Sequence, residues 1–133
     1  MKNKVAAIIF INNKKEILLY LRDNKSIIPY PNTWALLGGH VEQSETILEA
    51  LKREVREEIG YEIKNPIFLG TLDDQVGDIV YIYKSKIDKK IDELKLNEGQ
   101  KLGYFNFEQL VKLKIPEPLK KLIINKKNEI FKE

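Results

Sequence analysis

The amino-acid sequence predicts a single α/β domain built on a mixed β-sheet. Three observations predict it. Short β-branched and aliphatic runs recur along the chain, one long helix with clear start and stop signals interrupts them, and an amphipathic helix closes it. The chain has 133 residues, 43% of them hydrophobic and 32% charged, which suits one domain with its own hydrophobic core.

Residues 5–11 and 16–22 read as two strands, separated by the polar turn Asn12-Asn13-Lys14-Lys15. Residues 23–33 follow as a loop, with Pro29 and Pro31 as breakers. Residues 34–37 form a short apolar strand that runs into a turn at Gly38-Gly39. The central helix covers residues 47–59. Thr46 and Glu49 make the capping box T-x-x-E ahead of it, and Gly60 stands where a left-handed terminating residue belongs. Strands follow at 67–72 and 79–87, the second alternating through Val80, Tyr81, Ile82 and Tyr83. A charged connection at 88–100 leads to a strand at 102–107 and a short helix at 107–113. Pro116 then opens a final helix with Leu119, Leu122, Ile123 and Ile130 on its apolar face.

Composition removes several function classes. The chain has no cysteine, so disulfides and thiolate metal sites are excluded. Its apolar runs are too short to span a bilayer, and no membrane partner is expected. The N-terminal run MKNKVAAIIFINN starts basic and turns apolar, but no small-residue cleavage site follows, so it reads as the first strand. These features point to a cytoplasmic location. The net charge of +3 hides an asymmetry. Between Glu42 and Glu58 six glutamates face Lys52, Arg53 and Arg56, a local balance of −3 that leaves +6 for the remainder. An acidic pocket in a basic surround suits a metal ion serving a polyanionic substrate. The tail lysines 120, 121, 126, 127 and 132 are sufficiently explained by solubility.

The chemistry concentrates on the helix. At 100° per residue, Leu48, Leu51, Val55 and Ile59 form the core stripe. Glu54, Glu57 and Glu58 fill the adjoining sector, with Ala50 one turn earlier leaving room above them. Carboxylates at i, i+3 and i+4 destabilise a helix by roughly 0.2–0.5 kcal/mol per pair. Bordering the core raises that cost, and a hard divalent cation with oxygen ligands would relieve it. Arg53 can form an i,i+4 pair with Glu49 or orient a ligating carboxylate through its planar fork. Gly38-Gly39 lets the backbone approach an ion or phosphate closely.

The run from Gly39 to Tyr61 resembles the signature box of the Nudix hydrolase family, of the MutT type. Gly39, Glu45, Arg53-Glu54, Val55, Glu57-Glu58 and Gly60 stand at the family's spacing. Tyr61 occupies a usually aliphatic position, and Leu37 stands where many members have proline. The resemblance implies an α/β/α sandwich and a Mg²⁺-dependent diphosphatase, with Mn²⁺ as the alternative ion. Its substrate would be a nucleoside diphosphate linked to a further group: a (d)NTP or modified (d)NTP first, ADP-ribose or a sugar nucleotide next. By the same resemblance Glu54, Glu57, Glu58 and the Gly38 carbonyl would hold metal, Arg53 would orient Glu54, and Glu45 would support the loop–helix geometry. Glu58 is the first candidate for general base and Glu98, in the late segment LNEGQ, the second. Arg22, Tyr30, Trp34 and Gly39 are candidate substrate contacts, although for Trp34 core packing is the preferred reading. His40 reads as a loop residue. A non-catalytic nucleotide-binding module is the alternative of another class. No RNA-binding motif is present, so nucleic acid is not the expected partner, and a homodimer is compatible with the family.

Overall fold

A computed structural model describes residues 3–132; Met1 and Lys2, at the start of the basic N-terminal run, and Glu133 lie outside the described residues. The chain folds as an α/β/α sandwich around β1 (Lys4–Ile11). Its alternating side chains divide the interior in two. Ala6, Ile8 and Phe10 point to one core, and Ala7 and Ile9 to the other. The next strand, β2 (Ile17–Leu21), divides likewise: Leu18 and Tyr20 face the first core, Ile17 and Leu19 the second.

The next segment departs from the sequence reading. Residues 34–37 are not one strand ending in a glycine turn. They split into β3 (Trp34–Ala35), paired with β2, and β4 (Leu37–His40), which contains both glycines and pairs antiparallel with β1. The reason is steric. Gly38 has φ 146°, and a Cβ there would lie 2.0 Å from the Ala6 carbonyl oxygen. Without side chains, the strand can lie tight on β1 and still leave its other side to the helix.

That helix, α1 (Ile47–Ile59), has the expected bounds. Thr46 accepts the Glu49 N–H while the Glu49 carboxylate accepts the Thr46 N–H, and Gly60 ends the helix in the left-handed conformation. Leu51, Val55 and Ile59 enter the first core. Tyr61 is buried there too, edge-on to Phe10 with ring centroids 5.4 Å apart, and Leu37 packs in the same cluster. The departures from the family pattern at 37 and 61 are therefore accommodated by packing.

The chain then crosses to β5 (Ile67–Asp73) and returns through β6 (Ile79–Lys86), which runs parallel to the whole of β1. The charged connection holds a 3₁₀ turn at Ile91–Glu93 before β7 (Lys101–Phe105) pairs with β2. The sheet order is β3-β2-β1-β6-β5, with β4 on β1 and β7 on β2. The helix expected at 107–113 is shorter, α2 (Phe107–Leu110). The final helix breaks at Lys126 into α3 (Glu117–Asn125) and α4 (Lys127–Phe131). Leu119, Leu122, Ile123 and Ile130 all pack in the second core, as their spacing requires.

Gly38→Ala should lower the stability to urea unfolding by at least about 2 kcal/mol, because the added methyl meets backbone that cannot turn aside. Circular dichroism of the two proteins across a urea series checks this.

Candidate active site

The two glycines of β4 set the site by letting α1 come close. The Gly38 N–H donates to Glu58 Oε1 at 3.0 Å. A Cβ on Gly39 would lie 2.3 Å from the carboxyl carbon of Glu54. Neighbouring glutamates therefore differ sharply: Glu58 is 4% exposed, whereas the Glu57 side chain is 58% exposed. Ala50, expected to leave room above the carboxylates, is itself fully buried.

Burial is the main reason the Glu58 carboxyl is pushed up to about 8. The Gly38 N–H opposes the shift, while the negative charges of Glu54, Glu98 and Glu57 add to it. Glu98 reaches this neighbourhood through Asn97, whose backbone N–H donates to the Glu58 carbonyl and whose side-chain amide donates to the Glu57 carbonyl. Asn97 was not foreseen from sequence; LNEGQ carries no periodicity, and only docking onto the end of α1 reveals its role. Tyr20 was missed as well. It lies in the first core, burial raises its phenol to about 12, and Glu58 and Glu98 act on it electrostatically.

Arg53 organises the carboxylates outside the core. It holds Glu45 through a two-bond fork, Nε to Oε2 at 2.6 Å and Nη2 to Oε1 at 2.9 Å. Its Nη1 donates to Glu54 at 2.8 Å and to Glu57 at 3.0 Å, and Nη2 reaches the His40 carbonyl at 3.2 Å. Glu45 also accepts the Glu42 N–H at 3.0 Å, so one carboxylate ties the loop before α1 to the helix. Of the two readings of Arg53, the pair with Glu49 does not form, since Glu49 is committed to the helix cap, and the contact to Glu54 does. His40 turns its Nε2 toward Asp78, 3.4 Å away, at the base of β6.

Among the described residues no three acidic or histidine side chains converge as a ready-made metal cage. Glu54 and Glu57 lean on Arg53 and Glu58 on Gly38. The donor chemistry nevertheless fits a hard divalent cation. Three carboxylates share one sector, and the enclosed one has a single N–H opposing three like charges. The exposed Glu57 side chain can change rotamer at little cost.

Beyond β4, a cleft of about 130 Å³ opens between the sheet and α3, its wall including Arg22, Tyr30, Leu36, Leu72 and Leu119. Arg22 spans to the carboxylate side: its Nη1 donates to the Tyr20 hydroxyl at 3.0 Å and its Nε to the Pro29 carbonyl at 2.9 Å. The Tyr30 hydroxyl accepts the Gln75 N–H at 2.9 Å, joining two loops beside the cleft. Trp34 is elsewhere. It packs in the second core against Phe105, with ring centroids 4.8 Å apart, and does not line this cleft. The structure thus gathers Glu54, Glu57, Glu58, Glu98, Arg53, Glu45, Gly38 and Gly39 at one place, sets Arg22 and Tyr30 on the adjoining cleft, and leaves Trp34 in the core.

Fold and site together define a class: an α/β/α sandwich in which an acidic helix is docked through two glycines onto a mixed sheet. A family model described as the NUDIX domain matches residues 1–125, and the chain belongs to the Nudix family. The nucleoside triphosphatase NudI of Salmonella agona (strain SL483) is 46% identical over 52 residues, covering 39% of this chain and 36% of that protein. The match thus spans about a third of the length of such curated relatives. Among solved structures, the MutT protein from Methanosarcina mazei Go1 superposes with TM-score 0.80 at 22% identity, covering 96% of this chain and 94% of that one. The NUDIX domain of Shewanella oneidensis NrtR, complexed with ADP ribose, superposes with TM-score 0.77 at 13% identity, covering 97% and 89%. At these identities the likeness is one of fold.

The Arg53 fork holds the Glu45 carboxyl below its ordinary value of 4.5. A group depressed in the folded state stabilises fully above its unfolded pKa and loses that contribution as pH falls through the folded value. Arg53→Lys, which cannot reproduce the fork, should therefore be less stable than the parent at neutral pH. The gap should narrow as pH drops below 4.5. Paired urea titrations between neutral and acid pH measure it.

Proposed function

We propose that the chain is a divalent-metal-dependent diphosphatase cleaving a phosphoanhydride bond in a nucleoside di- or triphosphate derivative, with (d)NTPs or modified (d)NTPs as first substrates. One observation carries the reading: an enclosed glutamate surrounded by three further carboxylates, beside a cleft bearing Arg22. The similarity to proteins named nucleoside triphosphatase supports this substrate class.

Glu54, Glu57, Glu58 and the Gly38 carbonyl would hold the ion, Mg²⁺ or Mn²⁺. When bound, it would neutralise phosphate charge and acidify a water molecule. The protein's own residues position and accept. Arg53 fixes Glu54 and Glu57 from outside the core, while Glu45 anchors Arg53 to the loop. Arg22, at the cleft, offers positive charge to the departing or retained phosphate. In the reaction the water oxygen bonds to one phosphorus, the bridging P–O bond breaks toward the leaving phosphate, and the water proton passes to a carboxylate. Glu58 is the first choice of acceptor and Glu98 the second. A nucleoside triphosphate would yield a monophosphate and diphosphate. ADP-ribose or a sugar nucleotide is the second substrate group, and the ADP ribose bound by the NrtR domain supports testing it.

Glu57→Gln and Glu58→Gln should each reduce turnover by about 10²-fold or more while unfolding remains cooperative. Chelation by EDTA should abolish activity in the parent. The assay is a nucleotide panel with Mg²⁺ and Mn²⁺, products identified by mass. Near-parental activity in both variants would exclude the carboxylates as the reaction centre. Tight nucleotide binding without phosphate release would favour the non-catalytic module.

A further inference from the structure

The first core holds a hydroxyl that packing does not require. Tyr20, on β2, is 7% exposed and faces the α1 side of the sheet. A phenylalanine would fill the same volume without burying a polar group, whose desolvation has to be offset by a hydrogen bond. The bond it receives comes from Arg22 Nη1, at 3.0 Å. Burial pushes the phenol up to about 12 against the pull of Arg22, so at neutral pH it is a neutral hydroxyl and not a phenolate.

Arg22 is fixed at several points and its charge is still uncommitted. Its backbone N–H donates to the Thr33 carbonyl at 3.0 Å, and Nε donates to the Pro29 carbonyl at 2.9 Å. Both acceptors of the side chain are neutral oxygens, so they set the plane of the guanidinium without cancelling its charge. Among the described residues no acceptor meets Nη2 and no carboxylate pairs with the group. An oriented guanidinium with a free edge, at the wall of the cleft, suits a phosphate.

The same pair is clamped to the carboxylate site. Residues 97–100 cross from one to the other. Asn97 holds the end of α1, while the Gln100 side-chain amide donates to the Arg22 carbonyl at 2.8 Å and to Asn32 Oδ1 at 3.0 Å. Between them Gly99 lies on the Tyr20 ring, where a Cβ would come within 2.7 Å of Cδ2, and Glu98 acts on both Tyr20 and Glu58. We propose that Tyr20 is a positioning residue of this site: its hydroxyl holds the Arg22 guanidinium in register with Glu58 and Glu98, with Nη2 presented to a substrate phosphate. That the ligand is a phosphoanhydride rests on the diphosphatase reading; the hold on Arg22 does not.

Tyr20→Phe keeps the ring beneath Gly99 and removes only the hydroxyl, and Arg22→Gln removes the charge just past the end of β2. Binding of inorganic diphosphate in Mg²⁺, measured by calorimetry, is compared in the parent, both single variants and the double variant. Each single variant should bind about tenfold more weakly, and the double no more weakly than Arg22→Gln alone, because Tyr20 acts through Arg22. The Arg22 Nη proton resonances should be resolved in the parent and merge in Tyr20→Phe, where the guanidinium turns freely. With nucleoside triphosphates, Tyr20→Phe should raise KM about tenfold and leave kcat within about twofold, whereas a loss of folded protein lowers kcat and not KM. Unmeasurable diphosphate binding by the parent, unchanged affinity in Tyr20→Phe, a fall in kcat alone, or a Tyr20→Phe loss that persists in the Arg22→Gln background would overturn the proposal. Diphosphate bound in this Tyr20-dependent way without any nucleotide turnover would sustain it and count against the diphosphatase reading.

Discussion

Everything at the acidic site depends on how closely α1 approaches β4. Two consecutive positions without side chains make that approach possible, one lying against the Ala6 carbonyl and the other against the Glu54 carboxyl. The result is a carboxylate pressed onto a backbone N–H, Glu58 against Gly38 at 3.0 Å, with almost no solvent. An isolated buried carboxylate is costly, and one N–H does not offset that cost. The protein keeps Glu58 enclosed with further negative charge around it, an arrangement that favours a cation there. Around this centre, Arg53 holds Glu45, Glu54 and Glu57 at once, so one side chain joins the loop before α1 to two of the helix carboxylates. Gly38 pairs with Ala7, which lines the cleft on the α3 face of the sheet, and Arg22 of that cleft reaches the first core through the Tyr20 hydroxyl.

Local chemistry was legible in the sequence. The bounds of α1 follow from a capping box and a left-handed glycine, both decided within a few residues. The two-sided strands β1 and β2 follow from apolar runs long enough to be buried on both faces. The carboxylate set and Arg53 were found through spacing, which reports a helix face faithfully. The break at Lys126 was not legible, because an apolar stripe reads the same across two helices as across one.

What needed the structure was set by contacts distant in sequence. Gly38-Gly39 looked like a turn because glycine pairs usually are; the partner that makes them a strand lies some thirty residues earlier, at Ala6 and Ala7. Glu57 and Glu58 are adjacent on the helix, yet only β4 decides that one is exposed and the other enclosed. Glu98 has no local signal of its own and is delivered by Asn97. Trp34 was readable as either a base-stacking or, preferably, a core residue, and strand register decides for the second core.

The central claim is that the enclosed carboxylate cluster is a divalent-cation site. Titration of the protein with Mn²⁺, followed by the electron paramagnetic resonance of the free ion, tests it without any substrate. The account predicts saturable binding by the parent chain and its loss in the double variant Glu54→Gln/Glu58→Gln. Undiminished binding in that variant, or none in the parent, would contradict it.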